Sequence, residues 1–142
     1  MDSLAYFDVF MRLAAAVLAG AIIGFDREVR NKPAGLRTMA LVSLGSAVFV
    51  LATVPAASPD SSSRVIQGVI TGVGFLGAGS IIRGRTEASI RGLTTAASIW
   101  LAAAVGVASG LAFWPLVLIS CCLGLLILVL EPIDRWLKAR VS

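Results

Sequence analysis

The sequence predicts an all-α, polytopic membrane protein: a bundle of about five transmembrane helices, the third of them rich in glycine. Three observations carry this. Of the 142 residues 58% are hydrophobic and 14% charged, with a mean hydropathy of +0.93, whereas a soluble domain carries about 25% charged residues. The apolar residues form long runs that never alternate as a half-buried strand would. The charged residues gather in short loops between those runs. A single transmembrane domain over residues 1–142 accommodates this pattern, with spans at roughly 9–25, 38–57, 65–82, 93–109 and 113–130.

The first run, 9–25, is short for a span, so its ends must reach into the interface. Arg12, Ala16, Gly20 and Gly24 recur every fourth residue and share one helix face. Gly20 and Gly24 form a G-x-x-x-G pair, which suits close helix contact. That face turns Arg12 toward protein, with Asp8 one turn earlier as its partner; snorkelling to lipid headgroups is the alternative. The loop 26–37, DREVRNKPAGLR, has four basic and two acidic residues, and its Pro33 and Gly35 break the helix. The second run, 38–57, contains Gly45 and meets a polar loop at 58–64. The third run, with Gly68, Gly72, Gly74, Gly77 and Gly79, would be a poor helix in water, each glycine costing roughly 1 kcal/mol relative to alanine. In lipid, small residues let helix backbones approach, so this run reads as the packing centre. After a loop holding Arg83, Arg85, Glu87 and Arg91 comes the alanine-rich fourth run, with Trp100. A turn at 110–115 leads to the fifth, with Pro115 suited to its first turn. Trp114 and Trp136 bracket that last run about 33 Å apart at 1.5 Å per residue, the spacing of an aromatic belt at both interfaces.

Charge orients the bundle. Arg27, Arg30, Lys32, Arg37, Arg83, Arg85, Arg91, Arg135, Lys138 and Arg140 fall on one side of five spans, Arg64 falls on the other, and Arg12 lies within the first. This asymmetry places the N-terminus outside and the C-terminus in the cytoplasm. The basic balance, a net charge of +4, is thereby read as membrane orientation, and nucleic acid is not expected as a partner.

Catalytic and cofactor chemistries find little to work with. Gly72-Val73-Gly74-Phe75-Leu76-Gly77 matches G-x-G-x-x-G, but it lies in an unbroken apolar run without the strand and acidic partner of a dinucleotide site. There is no G-x-x-x-x-G-K-[ST] for a P-loop and no histidine to activate a hydroxyl. Cys121 and Cys122 are adjacent and point about 100° apart on a helix, a geometry for packing rather than for a disulfide or a metal. Asp2 and Asp8 at the N-terminus argue against a cleaved signal peptide. All acidic residues lie at or beyond span ends, whereas coupled ion transport normally places ionisable groups within the membrane. The interior instead offers hydroxyls, Thr71, Ser80, Thr94, Thr95 and Ser98, and Arg12. Neither an enzyme, nor a cofactor, nor a bound metal is expected. The basic–acidic loops are read either as an ordinary orientation signal with surface ion pairs, each worth at most about 1 kcal/mol, or as a face that binds an anionic lipid, a phosphate-bearing ligand or a protein.

Three stretches, GFDREVRNKPAGLRTMALVSLGSA (24–47), GVGFLGAGSI (72–81) and IRGLTTAASIWLAAAVGVASG (90–110), occur in order over nearly all the chain and resemble the MgtC/SapB family of bacterial inner-membrane proteins. The resemblance implies a five-helix membrane domain and a role linked to growth in low magnesium and, in pathogens, to survival inside host cells. It further implies kinship with members that modulate other membrane proteins, including ATPases, more than they transport. Many members continue into a soluble C-terminal domain, so a chain stopping at Ser142 reads as a short form. Some members have a functionally weighted asparagine where this chain has Thr94.

These readings converge on an accessory or regulatory membrane protein that acts through its cytoplasmic face on another inner-membrane protein. A small oligomeric ion transporter or channel, dependent on Thr71 or Arg12, is the alternative, and a lipid-binding scaffold is a third reading. Asp26 and Arg37 are expected to meet across the Pro33–Gly35 turn. With Arg27 and the pair Thr94–Thr95 they would frame the functional site, while Arg12 supports the outer side. Gly74 and Gly77 are expected in the bundle interior or at a subunit contact of a homo-oligomer, a dimer first.

Overall fold

The computed structural model describes residues 3–53, 59–83 and 90–130. They form α1 (Ser3–Val29), α2 (Leu36–Leu51), α3 (Pro59–Ser80), a two-residue ladder β1 (Ile82–Arg83) with β2 (Ile90–Arg91), α4 (Leu93–Gly110) and α5 (Trp114–Val129). The ladder is antiparallel, Ile82 opposite Arg91 and Arg83 opposite Ile90; every other element among the described residues is a helix. Trp136, Arg85 and Glu87 lie outside the described residues.

Local chemistry sets the helix ends. α1 stops where Asn31 enters the left-handed region at φ 50°. Asn31 N–H then reaches the Glu28 carbonyl and Lys32 N–H the Arg27 carbonyl, both at 3.0 Å, which closes off two carbonyls that a helix end leaves open. The same motif ends α4 with Ala112, φ 57°, as Ala112 N–H bonds the Ser109 carbonyl and Phe113 N–H the Ala108 carbonyl. α3 takes in 59–64, the stretch whose polarity suggests a loop, because Pro59 is preset for a first helical position. Between α3 and α4 the chain needs Gly92. Its φ of +94° suits glycine, and a β-carbon there would strike the Ser80 carbonyl.

The packing centre is α4, not the glycine-rich α3. α4 touches all four other helices. Its buried residues, including Thr95, Ser98, Ala102, Gly106 and Gly110, are mostly small, which lets neighbours approach from several sides. α1 and α2 run antiparallel and close: a β-carbon at Gly20 would lie 2.5 Å from the Met39 carbonyl oxygen, and one at Gly24 2.6 Å from Leu36 Cα. The face of Gly20 and Gly24 is thus a contact face, as its spacing predicts. On the other side of α2, Gly106 meets the backbone of Ser43, and Gly110 the Ala47 carbonyl. Ser43, wholly buried, lies between Gly20 of α1 and Gly106 of α4. Along α3, by contrast, a β-carbon at Gly68, Gly72, Gly74 or Gly79 meets nothing within 4 Å. Gly77 alone of these glycines touches a neighbour, Ala96 of α4, at an ordinary 3.5 Å.

The outside of the bundle is apolar. Phe10, Leu41, Phe75, Trp100 and Leu118, one from each helix, are all at least half exposed, far more apolar surface than a protein in water leaves open. Among the described residues two helices, over Ala5–Val29 and Leu93–Gly110, are long and apolar enough to cross a membrane, and α2 and α5 are shorter apolar helices. Within the bundle, Ser46, Ser98 and Ser109 each donate to the carbonyl four residues back, at 2.8, 2.7 and 2.9 Å, so these hydroxyls are satisfied without water.

Candidate functional site

The alternation of helix direction brings two polar ends into being. One joins the start of α1 to the end of α4. There Arg12 is paired with Asp8 at 2.8 Å and donates from Nη1 to the Gly110 carbonyl at 3.0 Å. Arg12 therefore faces protein, and its charge sits at the carbonyl-rich, negative end of α4, where a cation is favoured.

The other end holds the candidate site, built from the last turn of α1, the start of α2 and the first turn of α4. Arg27 is its centre. Only 1% of this arginine is exposed, and its Nη2 donates to Thr95 Oγ1 in a short hydrogen bond. Arg27 lies in the last turn of α1, where the helix dipole favours a cation. It also abuts the first turn of α4, where the dipole opposes one. The Thr95 hydroxyl, itself buried, supplies an acceptor for it. The sequence-predicted grouping of Arg27 with Thr95 is thus a direct contact, whereas Thr94 beside it is exposed.

The expected Asp26–Arg37 pair does not form. Asp26 instead pairs with Arg30, the residue just past the end of α1, Oδ1 to Nε at 2.8 Å, because the helical turn carries a partner four residues on into reach. Arg37 is exposed. The loop is closed by Glu28, whose Oε2 accepts from the Leu36 backbone N–H at 3.0 Å. Gly35, the residue before α2, has no side chain with which to cap it. The Glu28 carboxylate fills that role from α1 and meets the positive end of α2. A β-carbon at Gly35 would collide with that carboxylate. Glu28→Ala is expected to lower stability by about 1 kcal/mol, the value of a lost N-terminal cap, and thermal unfolding in detergent checks it.

Two other expectations are corrected. Thr71 is not an interior hydroxyl: it is exposed on α3, with Oγ1 donating to the Gln67 carbonyl at 2.9 Å. Gly74 is exposed and so outside the interior of this chain's own bundle, since α3 meets α4 along the side that carries Val73 and Gly77 and turns Gly74 outward; the alternative expected for it, a subunit contact, concerns just such an outward face. Two contributors that the sequence expectations do not include are Glu28 and the pair Gly106–Gly110. The latter repeats the G-x-x-x-G spacing of Gly20–Gly24 and was visible in the sequence. Among the described residues no three side chains of the metal-ligating kinds come together.

Comparison with known proteins now places the chain. The MgtC family model matches residues 13–136. Protein MgtC of Salmonella typhimurium is 48% identical over 105 residues, covering 74% of this chain and 44% of that protein. Protein SrpB of Synechococcus elongatus is 45% identical over 129 residues, 82% of this chain and 71% of SrpB. Protein MgtC of Brucella abortus is 46% identical over 98 residues, 69% of this chain and 40% of that protein. The chain spans less than half the length of these MgtC proteins. No solved structure matches it. With the family model covering most of its length, the chain belongs to the MgtC family of membrane proteins.

Proposed function

We propose that the protein is an accessory membrane component in magnesium homeostasis, supporting growth at low magnesium through contact with another inner-membrane protein. The observation that carries this reading is the buried Arg27–Thr95 contact at one end of the bundle, with exposed polar residues beside it. A buried cation held by two packed helices ties the shape of that end to the α1–α4 contact. Thr94, Arg37 and Arg91 are exposed at the same end and provide a surface for a partner. The bias of basic residues toward this end supports a cytoplasmic orientation for it.

The test uses the exposed residues, whose replacement spares the fold. Thr94→Val and Arg37→Gln are made singly and together, and membrane abundance is measured beside growth of a complemented deletion strain at limiting magnesium. The double variant is expected at parental abundance with growth lost, and with loss of any protein that crosslinks to the parent at this end. Parental growth of the double variant at parental abundance would overturn the reading.

A further inference from the structure

α2 and α3 both pack on α4 but scarcely on each other. They leave between them an open groove of about 680 Å³. Glycines keep it empty: Gly45 on α2 and Gly68 and Gly72 on α3 line it, and a β-carbon on any of them would meet nothing within 4 Å. Leu41, Phe49 and Leu76 make up much of the remaining wall. Ser46, also in the lining, already donates its hydroxyl to the Val42 carbonyl at 2.8 Å. Water would find few partners in such a space, and an unfilled apolar space forfeits the dispersion contacts of its walls. The occupant must therefore be apolar along most of the groove.

One end of the groove differs. Arg64 lines it, is exposed, and makes no ion pair among the described residues, not even with Asp60 one turn earlier. From Arg64 to Leu76 a helix rises about 18 Å at 1.5 Å per residue. Half of the bilayer's hydrocarbon core is about 15 Å. An arginine at headgroup level, with an apolar furrow one leaflet deep beneath it, complements a molecule that is anionic at one end and hydrocarbon over the rest. We infer that the α2–α3 groove binds one acyl chain of an anionic phospholipid, with Arg64 holding its phosphate-bearing headgroup. The inference rests on the family's membrane location and not on any role in magnesium homeostasis.

The protein is purified in mild detergent, and its mass spectrum is recorded under non-denaturing conditions after incubation with phosphatidylglycerol or phosphatidylcholine. The parent is expected to retain phosphatidylglycerol about fivefold better, the effect of one basic side chain on an anionic lipid. Arg64→Gln should equalise the two lipids. Gly72→Leu should remove retention of both while leaving thermal stability unchanged, because its side chain enters open space. Equal retention of the two lipids by the parent would overturn the inference. So would parental retention by Gly72→Leu. A lipid-free dimer that Gly72→Leu converts to monomer would likewise overturn it, and would assign the groove to a helix of a second copy.

Discussion

Gly106→Leu is expected to yield no folded protein, while Gly74→Leu is expected to accumulate as the parent does. The contrast follows from what each side chain would meet. At Gly106 even the first added carbon strikes the carbonyl, carbonyl carbon and α-carbon of Ser43. These are backbone atoms that cannot rotate away. α2 cannot retreat, because α1 closes on its other side, where Gly20 would place a β-carbon 2.8 Å from the Ser43 β-carbon. Overpacking costs about 1–3 kcal/mol where side chains can yield, and more is expected here, where only backbone could move. Gly106→Ala should already unfold well below the parental temperature. Gly74 lies on the open side of α3, so leucine there meets the surroundings alone. Membrane abundance and detergent size-exclusion profiles decide the matter. A monodisperse Gly106→Leu protein at parental yield would show that α4 is not the packing centre.

The second large effect concerns the buried arginine. Thr95→Val keeps the shape of the side chain but removes an acceptor of a guanidinium that water barely reaches. A hydrogen bond to a charged group contributes about 1.5–3 kcal/mol, and a loss of about 2 kcal/mol is expected. Arg27→Met combined with Thr95→Val should be more stable than Thr95→Val alone, because removing the buried charge along with this acceptor avoids leaving the guanidinium one hydrogen bond short. This sign is diagnostic, since independent sites would add. Thermal unfolding of the two single variants and the double variant in one detergent measures it. A double variant that loses the full sum of the single effects would refute the coupling. Under the proposed function, growth at low magnesium is expected to be lost in this double variant despite its recovered stability, which would separate a functional role of Arg27 from a purely structural one.

What the sequence determined by itself was what a single helix can decide. Length and hydropathy are local, so the helical bundle was legible. Spacing of four along one helix is local too. It identified the Gly20–Gly24 face as a contact face and joined Asp8 to Arg12, the ion pair present at 2.8 Å. The family resemblance, read from three stretches of residues, agrees with the match over residues 13–136. Local spacing could not say which glycine-bearing faces become contacts. Gly68, Gly72 and Gly106, Gly110 carry the same four-residue spacing, yet the first pair lines an open groove and the second grips α2. Only the choice of neighbours separates them, and that is a property of the assembled bundle. The ion pairs divided for a similar reason. Asp26 had Arg30 one turn on, just past the end of α1, and Arg37 across a loop, and the helical turn holds the nearer partner in place at less entropic cost. Glu28 was then left to cap α2. Its role exists only because the tertiary structure brings a helix start without a capping side chain against the end of α1.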